Sequence, residues 1–128
     1  MTRLGTEGNG DGEYPDVDEA YLGRLADLLG EEKLREILSD GLIEVADRLE
    51  QVAVLAAENR RREIAAVAHD LVGTAGYLGL TRLSLAATDL ERAARRGDRP
   101  LDHELKAVEE LAEAAFAAMQ PRLRGGAS

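Results

Sequence analysis

The chain has 128 residues, 45% of them apolar but only 3% aromatic, enough for one modest core and too few for two domains. Its 25 acidic and 16 basic residues give a formal charge of −9, which argues against nucleic acid or an anionic membrane as a partner. There is no cysteine, and the two histidines lack a His-x-x-x-His spacing, so disulfides, thiolate metal sites and a histidine-based zinc site are disfavoured.

Met1-Thr2-Arg3-Leu4-Gly5 opens no apolar run of signal-peptide length, and no stretch approaches the roughly 20 apolar residues of a membrane span. A soluble, cytoplasmic protein is therefore expected. Residues 1–15 mix Gly5, Gly8, Gly10 and Gly12 with polar residues and read as a flexible N-terminal arm. Asp16 or Asp18 can cap a first helix that runs to Leu29, with Tyr21, Leu22, Leu25, Leu28 and Leu29 on one stripe and Gly30 as its stop.

A long second helix is predicted from Glu31 or Glu32 to about Ala57, with acidic residues in its first turn and Leu34, Ile37, Leu38, Leu42, Val45, Leu49, Val52 and Ala56 in register. Gly41 interrupts it and points to close packing. Asn59 is the next predicted cap, opening a helix from about Arg60 to Leu78 that Gly79 ends. Thr81 can cap the fourth helix, which presents Leu83, Ala87, Leu90 and Ala94 inward before the breaker Gly97-Asp98-Arg99-Pro100. Asp102 then caps a fifth, in which Leu105, Val108, Ala112, Phe116 and Met119 repeat at the helical period up to Pro121, and a frayed tail follows.

Alanine and leucine dominate, while valine and isoleucine are too scattered for a sheet. Short connections make neighbours antiparallel, so the expectation is an all-α fold: an antiparallel up-down-up-down four-helix bundle with a short N-terminal helix capping one end. One domain over residues 16–123 is expected, with 124–128 a disordered tail. A monomer is expected as well, since one bundle buries every apolar stripe.

The third helix carries the most informative stretch. Stepping about 100° per residue places Ile64, Val67, Ala68, Leu71, Ala75 and Leu78 on one apolar stripe, while His69 points roughly 140° away from Ile64. Gly73 and Gly76 follow on the outward sector, each costing about 1 kcal/mol against alanine in a helix interior. A surface histidine is most often only solvated, and interior glycines more often admit a neighbouring helix. Here both glycines sit opposite the apolar stripe, which points instead to a cleared landing area beside an exposed imidazole.

The run His69-Asp70-Leu71-Val72-Gly73-Thr74-Ala75-Gly76-Tyr77-Leu78-Gly79 resembles the signature of histidine-containing phosphotransfer (HPt) domains, and the likeness extends from about Asp16 to Leu123. It implies that His69 is the phosphoacceptor, through the ring nitrogen farther from the backbone, and that Gly73 lets a receiver domain dock. Gly76 adds a second clearance position from the wheel. Val72 departs from the family, which has lysine there to hold phosphoryl oxygens; valine donates neither charge nor hydrogen bond. Reflecting the hairpin about Gly79-Leu80 sets His69 opposite Leu90-Glu91, so Arg92 is a candidate substitute cation. Arg62, on the outward sector about 10 Å along the axis, is a second.

An unprotonated imidazole can attack phosphorus and pass the group on. The chain has no Gly-rich phosphate loop, nucleotide motif or magnesium constellation, so it is expected to be a phosphocarrier, not an enzyme. The resemblance implies response-regulator receiver domains, which supply an aspartyl phosphate and bound magnesium, and a hybrid histidine kinase as partners; no cofactor of its own is expected. The reading is a phosphorelay intermediate in two-component signal transduction. Its alternative is an adaptor that binds receivers without relaying phosphate. A detached dimerisation piece of a histidine kinase is a third, and Asp70 after the histidine is its main support. His103 is assigned no role.

Overall fold

A computed structural model describes residues 14–97 and 99–124. They form five helices and, among the described residues, no strand: α1 (Glu19–Leu29), α2 (Glu31–Ala57), α3 (Arg61–Tyr77), α4 (Thr81–Arg96) and α5 (Asp102–Arg124). The arm predicted over 1–15 and the tail over 124–128 thus lie almost wholly outside the described residues. Tyr14, where the description begins, already lines a groove with Leu85 and Leu111.

The predicted stripes supply the core. Leu34, Leu38 and Val45 of α2, Ile64, Leu71 and Ala75 of α3, Leu83, Ala87 and Leu90 of α4, and Val108, Ala112 and Met119 of α5 are all buried. Each leucine so placed contributes about 2 kcal/mol of burial. The interior alanines, Ala68, Ala87 and Ala93, are fully enclosed and let helix axes approach closely. Gly41 on α2 does the same where Leu78 crosses it: a β-carbon there would stand 2.8 Å from Leu78 Cδ1.

Contacts between helices fix their registers. Glu44 meets Thr74 and Arg48 meets Asp70 between α2 and α3, while Arg61 donates to the Ala93 carbonyl and Ser84 to the Val72 carbonyl between α3 and α4. In both pairs the residue numbers rise along one helix as they fall along the other. α1 rests on the α3–α4 turn: the Asp18 N–H donates to the Gly79 carbonyl at 2.8 Å and the Tyr21 hydroxyl to the Tyr77 carbonyl at 2.7 Å. Gly79 has φ +78°, a left-handed conformation that glycine adopts without penalty.

Several terminal details differ from the sequence expectation. Of the two caps expected for α1, Asp18 is the one that forms, accepting from the Tyr21 N–H at 3.1 Å, while Asp16 reaches Arg82. Only Leu22 of the α1 stripe is buried, and Leu28 is 79% exposed. Asn59 is not a cap. It takes φ +56°, turning the chain so that Arg60 becomes the N-cap of α3. Leu80 holds the N-cap position of α4, Thr81 being the first helical residue. Asp102 likewise begins α5 rather than preceding it.

The largest difference is at Pro121, which does not end α5. The helix continues to Arg124, and Arg122 reaches Glu19 at 2.8 Å and Glu31 at 3.7 Å. Proline removes one hydrogen bond from an interior turn; ion pairs to the starts of α1 and α2 hold the following turn in place.

Candidate functional site

α3 buries Ile64, Ala68, Leu71 and Ala75, so the residues about 140° round the helix from that stripe must face out. His69 is among them, its side chain 69% exposed. Gly73, one turn further on, is also exposed, and a β-carbon added to it would meet no atom within 4 Å. The ground beside the imidazole is therefore open. Gly76 is different. A β-carbon there would stand 3.7 Å from Ser84 Oγ, so this glycine faces the α4 seam as well as solvent.

The ring is held from α4. His69 Nδ1 lies 3.1 Å from Glu91 Oε2 and 3.3 Å from Oε1. A carboxylate can only accept, so Nδ1 must carry the hydrogen. In the neutral ring that leaves the lone pair on Nε2, the nitrogen farther from the backbone. Glu91 is itself held: Arg95 Nη2 donates to Oε2 at 2.9 Å and Nε at 3.2 Å. Its side chain is only 17% exposed. The Arg95 hydrogen bonds first, then the charge of His69, keep the Glu91 carboxyl below the usual carboxylate range, against the opposing effect of burial.

The structure thus brings together His69, Glu91, Arg95 and Gly73. It does not bring Arg92 to the ring. One residue past Glu91 is about 100° round a helix, and Arg92 lines the groove between α4 and α5 with Asp89 and Arg96. Arg95, four residues after Glu91, keeps the same face. Arg62 stands exposed in the first turn of α3, about two turns before His69. Val72 is half-buried, its carbonyl accepting from Ser84 Oγ at 3.0 Å, and its side chain supplies no charge. Asp70 turns to α2, where Arg48 is shared among Glu44, Asp47 and Asp70 at 3.6, 3.1 and 3.9 Å.

Sequence reasoning missed Glu91 and Arg95 because it sought a cation to replace the absent lysine. The signal was present: Glu and Arg four residues apart form a pair on one helix face, at the register the hairpin reflection had already placed opposite His69.

A family model for the Hpt domain matches residues 33–120, which is more than half of the chain and includes every element of this site. The chain belongs to the Hpt domain family. This Hpt chain is also similar in fold to the crystal structure of histidine-containing phosphotransfer protein B from Pseudomonas aeruginosa PAO1, with a TM-score of 0.77 at 20% identity, covering 86% of this chain and 96% of that one. No curated protein matches the Hpt chain in sequence. Among its described residues no helix is long and apolar enough to cross a membrane, and no group of three His, Cys, Asp or Glu side chains gathers as a metal site.

Proposed function

We propose that the protein is a phosphorelay carrier of two-component signalling in which His69 accepts a phosphoryl group from a receiver-domain aspartate and delivers it to another. The observation that carries this reading is the division of labour on one exposed ring: Nδ1 is tied to Glu91, which leaves the lone pair on Nε2, and one turn on Gly73 leaves open space on the same helix. In the transfer, the Nε2 lone pair attacks phosphorus in line. The nitrogen–phosphorus bond forms as the bond to the aspartyl oxygen breaks, and the carboxylate leaves with its electron pair. The imidazole becomes cationic, with its remaining proton on Nδ1, where Glu91 stabilises it. The reverse sequence delivers the group to the next aspartate.

Magnesium and the charge neutralising the moving oxygens come from the receiver in this reading, and the chain acts as a carrier, not an enzyme. Gly73 is the docking clearance, with Val72 and Gly76 at its margin; Arg95, bound to the same Glu91 carboxylate as the ring, is the cation on the α4 side. The four longer helices alternate in direction as an up-down-up-down bundle capped by α1. This is supported by the falling registers between α2, α3 and α4 and by the meeting of Arg122 with Glu31 at one end. A monomer in the cytoplasm, served by a hybrid histidine kinase, completes the proposal.

Incubation with a phosphorylated receiver and magnesium tests it. Label that is stable in base, labile in acid and absent from His69→Ala is the expected result. Receiver binding without label would instead establish the adaptor.

A further inference from the structure

The contact that selects the tautomer of His69 also works against its reactivity. Glu91 accepts from Nδ1–H and so leaves the lone pair on Nε2. A carboxylate beside an imidazole favours the imidazolium as well, in which both nitrogens carry hydrogen and neither can attack phosphorus. Acting alone, Glu91 would aim the ring and disarm it together.

Arg95 stands where it separates the two effects. Its Nη2 and Nε both donate to Glu91 Oε2, at 2.9 and 3.2 Å, and this is the same oxygen that lies 3.1 Å from Nδ1. The carboxylate is thus shared between a permanent cation and the ring. It still accepts from Nδ1–H, which needs only an oxygen lone pair, while the guanidinium offsets its negative charge at the imidazole. Burial holds Glu91 in place independently, since its side chain is 17% exposed against 62% for Arg95. The other charges around the ring are turned elsewhere. On α3, Asp70 faces Arg48 of α2, which also meets Glu44 and Asp47, and Arg62 is about two turns away. Arg92 of α4 faces the groove shared with α5, and α1 rests on the α3–α4 turn.

We propose that Arg95 is a positioning residue of the phosphoacceptor site. Acting through Glu91, it lets the carboxylate fix the tautomer of His69 without holding the ring protonated, and so keeps the Nε2 lone pair present at neutral pH. Its functional sense rests on the phosphotransfer reading, whereas the charge relation among Arg95, Glu91 and the ring can be measured without any transfer.

Two measurements on the full chain test it. In the first, the ring nitrogens of His69 are titrated by NMR, with His69→Ala separating their signals from those of His103. R95Q should move the protonation midpoint up by about half a pH unit. R95K should titrate as wild type does, because an ammonium four residues on still pairs with Glu91, and E91Q/R95Q should return the midpoint towards wild type. In the second, phosphoramidate donates without a receiver: Nε2 attacks phosphorus as the donor's nitrogen–phosphorus bond breaks, and ammonia leaves with the electron pair. R95Q should be labelled about threefold more slowly than wild type on the acid limb of the pH profile and at the wild-type rate on the alkaline plateau. A midpoint unmoved in R95Q would overturn the proposal, as would an R95K that behaves like R95Q. Slower labelling at every pH with the midpoint unchanged would also overturn it, making Arg95 a brace for Glu91 alone. Failure of the phosphotransfer reading looks different: no label on wild type from phosphoramidate or a phosphorylated receiver, with the R95Q titration still shifted.

Discussion

At His69 the two ring nitrogens have separate surroundings, one against a held carboxylate and one in solvent, so substitutions at Glu91 distinguish orientation from reactivity. In Glu91→Gln the amide oxygen still accepts from Nδ1–H, and most of the transfer rate should remain. Glu91→Ala removes a charge-assisted hydrogen bond worth about 1.5–3 kcal/mol and should slow phosphorylation by tenfold or more, with nitrogen NMR showing more of the Nε2–H tautomer. The same carboxylate carries a pH signature. Its folded-state pKa lies below the unfolded value, so its stabilisation is present above the usual carboxylate range, about 4.3, and is lost as pH falls through the lower folded value. The stability difference between wild type and Glu91→Gln should therefore shrink in acid, as read from urea midpoints. At the neighbouring position, Val72→Lys tests whether the departure from the family limits transfer: a lysine there should speed phosphorylation of His69 in a stopped-time labelling assay. An unchanged rate would leave Arg95 as the sufficient cation.

The helices as elements were legible from periodicity, and so were the different placements of two of their glycines. Gly41 and Gly73 carry the same intrinsic cost as interior glycines, but Gly41 was expected at close packing and Gly73 on the outward sector. Their surroundings are opposite: Leu78, fully buried, fills the space a Gly41 side chain would need, while nothing stands near Gly73. Gly41→Ala should destabilise by about 1–3 kcal/mol through overpacking, despite the helix propensity gained. Gly73→Ala should stabilise by up to about 1 kcal/mol and Gly73→Arg should fold yet fail to receive phosphate, both checked by urea denaturation beside the labelling assay. The caps misread at Asn59, Thr81 and Asp102 share one cause. A polar residue near a helix start satisfies the sequence rule, but whether its oxygen reaches a free N–H depends on the incoming backbone direction, which the φ of +56° at Asn59 sets.

Across the whole molecule, the end that carries α1 is tied by polar contacts from distant parts of the chain. Arg122 reaches Glu19 and Glu31, both largely exposed, so Arg122→Ala should lower global stability by no more than about 1 kcal/mol. It should nonetheless speed hydrogen exchange in α1, which otherwise rests on Leu22, the partly buried Leu25 and Ala26, and the contacts of Asp18 and Tyr21. What the sequence determined on its own was the number of helices, the main buried positions of the four longer ones and the outward position of His69, because each follows from a local period of about 3.6 residues. Only tertiary structure decided that Glu91 grips the ring with Arg95 behind it, that Arg92 turns to α5, and that α5 passes through Pro121. Those depend on the register between helices, which side chains far apart in sequence fix by fitting against one another.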